Sequence, residues 1–304
     1  MKRSKLVIRW TILVIFLTGM LLLTKYMRYV YGRNFVPEKE EVVFLIPTGA
    51  AYDEVFEQLK SKGWLKDPKG FDWVARKKSY PQLVKPGRYL LPSGINNNVL
   101  VNTLRSGKQA PVDLTFNNIR FPEELAGKLA AQLEADSVTI IHYLQYDRHY
   151  ADRGFTRKTI LAAFIPNTYE VYWDVSVPDL ADRMFREYER FWNADRRQKA
   201  EEKGLSLIDV SIMASIVEEE ALKEEEKSRI AGVYMNRLKR GMPLQADPTV
   251  RFALGDFSIQ RILNVHLEID SPYNTYKYRG LPPGPIRCPS ISGIESVLNA
   301  EEHS

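Results

Sequence analysis

A long apolar run near the N-terminus is the first strong pattern in the chain. Residues 10–24 (WTILVIFLTGMLLLT) carry no charged side chain. The run lengthens to residues 6–30 if the charges of its three cations reach the interfaces, namely Arg9, Lys25 and Arg28. As a helix, this longer segment spans the roughly 30 Å hydrocarbon core of a bilayer. No small-residue cleavage pattern follows it, so the sequence predicts an uncleaved transmembrane anchor and not a signal peptide or a buried core helix.

The flanks of this run indicate its placement in the membrane. Aromatic residues suited to the two interfaces lie at its ends: Trp10, Tyr26, Tyr29 and Tyr31. Residues 1–33 contain seven cations and no acid, and four of these cations precede the run. Together with the amino terminus, those four favour a cytoplasmic N-terminus. The bulk of the chain is therefore expected outside the cytoplasm, behind a single span.

After a polar linker, the pattern predicts a small unit with the order strand, helix, helix, strand. Apolar runs indicate strands at 42–46 and 88–91. Helical spacing indicates one helix through Val55 and Leu59, which ends at Gly63, and a second over 71–77. A further helix is expected from Asn98 to Gly107. Residues 38–108 form this unit, and no catalytic constellation occurs in it.

Helical patterns dominate from residue 112 onward. A strand is predicted at 112–116, and helices are predicted from Pro122 and over 178–203, 206–222 and 225–240. Asp247 and Pro248 are expected to be the N-cap and first residue of a short helix. Residues 271–286 contain four prolines and are expected to form a rigid, ordered loop. The fold class that these patterns predict is α+β.

Composition and charge exclude several classes of protein. Beyond residue 33 the net charge is −2, which argues against a nucleic-acid partner. Cys288 is the only cysteine, and the four histidines lack metal-ligand spacing, so no metal site is expected. The P-loop, dinucleotide, serine-hydrolase and paired-histidine zinc motifs are all absent from the sequence, so no cofactor is expected. Among the classes of catalysis considered, acid–base catalysis by carboxylates is the one that remains.

The sequence ASIVEEEA, residues 214–221, is the candidate for that chemistry. On a helix, Glu218 shares a face with Ser211, Ala214 and Ser215, whose small side chains are expected to leave room for a bulky substrate. The adjacent Glu219 and Glu220 are expected to disfavour ionisation of a partly buried carboxyl group, as a general acid requires. The same pattern also fits a solvated charge run at a helix end.

A second group of polar and aromatic residues follows and suits a sugar site. Its members offer hydrogen bonds or flat rings to a pyranose: Gln245, Asp247, Thr249, Tyr273, Asn274, Thr275 and Tyr276. Two structural alternatives stay open, in which Asp247 only caps a helix and the tyrosines only pack.

Three long segments, in order and with matching spacing, resemble the endolytic murein transglycosylases, the MltG or YceG-like family. They are ASIVEEEA at 214–221, IAGVYMNRLKRGMPLQADPTV at 230–250 and SPYNTYKYRGLPPGPI at 271–286. FIPNTYEVY at 164–172 is similar to the family's Pro-Asp-Thr-Tyr segment, with Asn167 in place of the usual Asp.

This resemblance implies an inner-membrane anchor at 1–33, a LysM-like subdomain at 38–108 and a helix-rich catalytic domain at 112–304. Family members continue through a further strand-rich segment, so the C-terminal part of this domain is expected to be missing. The resemblance implies cleavage of peptidoglycan between N-acetylmuramic acid and N-acetylglucosamine with 1,6-anhydro ends, which would terminate or trim nascent strands. It implies Glu218 as the catalytic residue and peptidoglycan synthases as partners.

Two alternatives come from the residues themselves. A hydrolytic muramidase would use Asp247 as a second carboxylate beside Glu218. A non-catalytic, membrane-anchored protein would bind glycan or act as a scaffold without cleaving it. Product mass separates the two enzymes, because a lytic product is lighter than a hydrolysed one by one water.

Overall fold

The computed structural model describes residues 2–221 and 223–302, with side chains from residue 8 onward. Met1 and Ser304, the outer ends of the predicted anchor and catalytic domain, lie outside the described residues. The described part is mostly helical with two small sheets, which confirms the α+β class. The chain divides into an N-terminal unit, residues 1–111 and 172–174, and a C-terminal unit with residues 112–171 and 175–304.

The N-terminal unit has the predicted order of elements. Its helices and strands are α1 (Lys2–Tyr31), β1 (Glu41–Ile46), α2 (Tyr52–Ser61), α3 (Pro68–Lys77), β2 (Gly87–Pro92) and α4 (Asn97–Ser106). The two strands pair antiparallel, from Glu41 opposite Pro92 to Ile46 opposite Gly87. Helices α2, α3 and α4 supply the apolar face that buries the strands' inward side chains, such as Phe44 and Tyr89. Asn96, not Asn98, caps α4.

Within α1, residues Ile8–Tyr31 are long and apolar enough to cross a membrane. Length and composition fit a signal sequence as well. The end of the helix differs from the sequence expectation, because the rings of Tyr26 and Tyr29 pack on Trp73 of α3 at centroid distances of 5.9 and 6.0 Å. Val30 is buried in the core of the N-terminal unit.

The C-terminal unit is a helical assembly with one short antiparallel pair of strands that are remote from each other along the chain. Its elements are β3 (Val112–Thr115), α5 (Pro122–Ala130), α6 (Ser137–Leu144), β4 (Thr168–Val171), α7 (Val177–Phe191), α8 (Ala194–Glu202), α9 (Leu207–Glu220), α10 (Lys227–Lys239), α11 (Asp247–Leu254) and α12 (Ile291–Leu298). β3 and β4 pair antiparallel, from Val112 opposite Val171 to Thr115 opposite Thr168. Helix α9 lies at the centre and packs against α8, α10, α11 and α12.

Two details of this unit correct the sequence expectations. The long helix predicted over 178–203 is two helices, because the chain breaks at Trp192 and the Asn193 side chain caps α8 by accepting from Arg196 N. Trp192 is nevertheless buried, as predicted for the apolar face. The strand β4 was not predicted, since its four residues are too short for a clear alternation.

Candidate active site

Helix α9 carries the candidate acid at its C-terminal end. Ser206 and Asp209 form a capping box that fixes the start of the helix. Every residue from Ser211 to Val217 is buried, so the helix is enclosed by its neighbours. The predicted open space above the small face is therefore wrong. Ser215 Oγ accepts the amide of Ile286 at 3.0 Å, so the segment before α12 occupies that face.

Glu218 is held from one side only. Its Oε2 accepts the backbone N–H of Ser290, the N-cap of α12, at 2.7 Å. Its Oε1 lies 3.8 Å from the Arg287 guanidinium, and the side chain is 14% exposed. Among the described residues no hydrogen bond to Oε1 is found. This oxygen therefore has a nearby cation and remains available to a ligand.

Gly293 of α12 provides the space that the Glu218 carboxylate occupies. A Cβ at this glycine would lie 3.0 Å from Glu218 Oε2, closer than nine in ten real Cβ contacts. Any larger residue would crowd the carboxylate and displace it from the Ser290 N–H. The close approach of the helix backbone to Glu218 thus depends on glycine here.

Glu219 is neutralised by two arginines. Arg287 Nη1 donates to its carboxylate at 2.7 Å, and Arg120 Nη2 donates at 2.8 Å. Arg287 also donates to Asn118 Oδ1 through Nη2. The expected repulsion between Glu218 and Glu219 is therefore offset, because Arg287 lies near both carboxylates and Arg120 pairs with Glu219.

Glu220 has the perturbed carboxyl group of the run. The residue is exposed overall, but partial desolvation of its carboxyl group raises its pKa above the ordinary value, the Asp247 carboxylate raises it further, and Arg251 opposes the change. The charges that act on Glu220 therefore come from α11, whereas Glu218 is hydrogen-bonded to the start of α12. The two acids are distinct candidates.

Asp247 does not cap α11, contrary to the sequence expectation. It is the first helical residue, and its side chain makes no capping bond. Instead its Oδ1 accepts the hydroxyl of Tyr276 at 2.5 Å. Burial and this bond raise the pKa of Tyr276 to about 12. Asp247 and Tyr276 are half-buried and form one polar edge with the exposed Gln245, whose φ is +53°.

Three of the predicted sugar-binding residues are buried and use their polar atoms inside the protein. Asn274 Nδ2 donates to the carbonyls of Leu267 and Ile269, and its Oδ1 accepts the amide of Tyr276. Thr275 Oγ1 accepts the amide of Ala246 and pairs with Thr249 Oγ1 at 2.8 Å. These bonds join the 271–286 loop to the start of α11.

Tyr273 lies at the wall of a cavity of about 500 Å³. Its ring packs against the ring of Phe252 at a centroid distance of 4.8 Å. The Phe252 ring in turn stacks on the ring of Phe121 at a centroid distance of 5.3 Å. Arg120 and Pro285 line the same cavity. Arg120 therefore connects the cavity to Glu219, and through Arg287 to Glu218.

Comparison with known proteins decides the family. The sequence profile of the YceG-like family matches residues 44–304. The chain belongs to the YceG-like family. An endolytic murein transglycosylase of Bacillus subtilis (strain 168) is 29% identical over 295 residues, which cover 90% of this chain and 81% of that protein.

Other relatives have comparable similarity. An endolytic murein transglycosylase of Streptococcus pneumoniae serotype 2 is 28% identical over 86% of this chain, and the chain spans 52% of that protein, about half its length. The crystal structure of a YceG-like protein from Listeria monocytogenes matches with a TM-score of 0.58 and 27% identity, over 88% of this chain and 92% of that one.

Sequence reasoning missed four residues around Glu218 and its neighbour Glu219 in this YceG-like chain: Arg287, Ser290 and Gly293 at Glu218, and Arg120 at Glu219. Each comes from a segment remote from α9 along the chain, so no local pattern links them to the acid. The position of Arg287 and Ser290 immediately after the 271–286 motif was the available signal. No group of three or more His, Cys, Asp or Glu side chains that could hold a metal occurs in the part of the chain that the structure describes.

Proposed function

We propose that this chain is a membrane-anchored lytic transglycosylase that cuts peptidoglycan glycan strands internally. The bond cleaved joins N-acetylmuramic acid to N-acetylglucosamine, and the product carries a 1,6-anhydro end. Such cuts would terminate or trim nascent strands. Membership of the YceG-like family and relatives named endolytic murein transglycosylase support this proposal.

The geometry of Glu218 carries the mechanism. A lytic reaction needs one carboxyl group, which first protonates the glycosidic oxygen and then takes the proton from the muramyl C6 hydroxyl. That hydroxyl oxygen closes on C1, so no water enters the reaction. Ser290 N–H fixes Oε2, and Oε1 lies 3.8 Å from the Arg287 guanidinium without a hydrogen bond among the described residues. One carboxyl oxygen is thus positioned and the other is free to exchange the proton.

The predicted substrate residues divide into two roles in this proposal. Gln245, Asp247, Tyr273 and Tyr276 have accessible polar or aromatic atoms and would contact the sugars. Asn274, Thr249 and Thr275 would act indirectly, because their hydrogen bonds shape the loop that presents the first group. A preformed loop loses little conformational freedom when substrate binds.

Helix α1 would serve as the uncleaved single-pass anchor in the inner membrane, with the catalytic unit outside the cytoplasm. The element order of the N-terminal unit supports a LysM-like subdomain. Peptidoglycan synthases are the proposed partners, since both proteins would meet the same nascent strands.

Mass spectrometry of muropeptides tests the proposal. Purified protein is incubated with isolated glycan strands, and the mass of the new ends is measured. We expect anhydro ends, and we expect Glu218→Gln to reduce their formation by at least about 10³-fold because glutamine cannot transfer a proton. The melting temperature and glycan retention of this variant should match those of the wild type.

Glu220→Gln is the matched control, because Glu220 is the acid of the run with a raised pKa. An active Glu218→Gln beside a dead Glu220→Gln would move the catalytic role to Glu220. Hydrolysed ends would favour the muramidase alternative, and binding without cleavage would favour a glycan-binding scaffold.

A further inference from the structure

The end of α1 is built into the N-terminal unit. The buried Asn97 side chain donates through Nδ2 to the carbonyl of Tyr29 at 2.8 Å. Val30 is 6% exposed and belongs to the core of the unit. The last turns of α1 pack on α3 and α4. A membrane span therefore continues into this unit without a flexible linker between them.

This packing fixes where the bilayer surface meets the protein. The uncharged run ends at Thr24, and Leu21, Leu22 and Leu23 are exposed, as lipid-facing side chains would be. Residues 25–31 have α3 and α4 on one side, so lipid chains cannot surround them. The headgroup layer therefore lies at the level of residues 24–28.

A cavity opens at that level between α1 and the start of α3. Its volume is about 550 Å³, and it is lined by Leu21, Thr24, Lys25, Arg28, Tyr29 and Asp67. The lining changes along the helix from an apolar side chain to two cations. This order matches a phospholipid, whose acyl chains lie below its charged headgroup.

The charges around the cavity favour an anion. Arg33 and Lys66 line an adjacent smaller cavity that shares Arg28. Within residues 8–221 and 223–302, no salt bridge engages these cations or Lys25. The Asp67 carboxylate accepts the amide of Gly70 as the N-cap of α3 and keeps its negative charge, but the four cations that line the two cavities, Lys25, Arg28, Arg33 and Lys66, outnumber it.

We propose that this cavity binds the headgroup of an anionic membrane phospholipid, with the phosphate at Lys25 and Arg28 and an acyl chain along Leu21. The proposal rests on the membrane-anchor part of the proposed function and is independent of the catalytic part. Bound lipid would hold the N-terminal unit at a fixed height on the membrane surface. Basic side chains at a membrane surface attract anionic headgroups electrostatically, and in the proposed topology the lipid would come from the leaflet that faces away from the cytoplasm.

Native mass spectrometry of the full chain in detergent tests the proposal without any glycan. Phosphatidylglycerol and phosphatidylcholine are titrated separately, and the retained lipid is counted. We expect phosphatidylglycerol to be retained preferentially and Lys25→Gln/Arg28→Gln to weaken its apparent affinity about tenfold. Lys39→Gln/Lys62→Gln removes the same charge from exposed positions of the same unit and should leave retention unchanged.

Three outcomes would overturn the proposal. Equal retention of the two lipids would exclude an anionic headgroup site, and equal loss in both double variants would indicate attraction by net charge alone. Displacement of phosphatidylglycerol by millimolar inorganic phosphate would make this a site for free phosphate. Glu218→Gln should retain lipid as the wild type does. Lipid retention therefore tests this proposal independently of whether the catalytic proposal fails.

Discussion

Gly293 is the residue whose substitution most directly tests the environment of Glu218. An alanine Cβ would lie 3.0 Å from Glu218 Oε2 and would push the carboxylate away from Ser290 N–H. Gly293 lies in α12 without a left-handed φ, so alanine suits the backbone. We expect Gly293→Ala to lower cleavage at least about tenfold, since a displaced catalytic group loses its alignment, with an unchanged or higher melting temperature.

Gly127→Ala is the matched control for this prediction. Gly127 also lies inside a helix, α5, and a Cβ there would meet nothing within 4 Å. It should keep full cleavage activity. If Gly293→Ala cleaves as fast as Gly127→Ala, the carboxylate does not act from the position seen here.

Asn274 is a residue for which the structure favours stability over substrate contact. Its side chain is fully buried and bonded to three backbone groups. Asn274→Ala leaves the Leu267 and Ile269 carbonyls without this donor, which costs about 1–3 kcal/mol for each group that stays buried. We expect a clear fall in melting temperature, measured by calorimetry, and reduced cleavage because the loop loses its shape.

Arg279→Ala is the control, because it changes the same loop at an exposed position. It should change neither the melting temperature nor the cleavage activity. A variant of Asn274 with wild-type melting temperature and a hundredfold loss of turnover would instead support direct contact with the sugar.

At the scale of elements, Glu219 joins α9 to two other segments through Arg287 and Arg120. Its side chain is 11% exposed, and Arg287 Nε is buried with no partner among the described residues. Glu219→Gln removes the charge that both guanidinium groups share, at a cost of about 3 kcal/mol for a buried pair that loses one partner. We expect lower stability and, because Arg287 also faces Glu218, a lower kcat with a smaller change in KM.

Glu226→Gln, an exposed change of the same charge, is the control. Unaltered melting temperature and kcat in Glu219→Gln would mean that the two ion pairs neither stabilise the unit nor position Glu218. Restored kcat in a chain with Glu219→Asp would support positioning, since aspartate keeps the charge.

The elements also show which parts of the fold the sequence could predict. The helical spacing of Ile208, Ile212 and Ile216 in α9 and the apolar runs of β1 and β2 are local features, so these elements were predicted. The break at Asn193 depends on a single cap within an otherwise helical pattern. Glu218 was recognisable because its motif is local, whereas Gly293 meets it, and Arg120 meets the adjacent Glu219, only through tertiary packing. The open space predicted above the small face of α9 is wrong for the same reason: only the fold shows that the segment before α12 covers this face.

At the scale of the whole molecule, the question is where the anchor ends and the folded N-terminal unit begins. The sequence places the boundary after residue 33, where the run of cations ends. The structure places Val30 in the core and uses the Tyr29 carbonyl as the acceptor for the buried Asn97. These two boundaries predict different behaviour for truncated chains.

A chain that starts at residue 25 should keep the stability of the N-terminal unit, whereas a chain that starts at residue 34 should lose part of it. The shorter chain gives up the burial of Val30, worth about 1.5–3 kcal/mol, and leaves Asn97 without one partner, at about 1–3 kcal/mol. For a unit of this size, that corresponds to a fall in melting temperature of at least about 5 °C. Differential scanning calorimetry of both chains measures it. Equal melting temperatures would mean that residues 25–33 belong to the anchor alone. The packing of the end of α1 on the N-terminal unit would then contribute nothing to the stability of that unit.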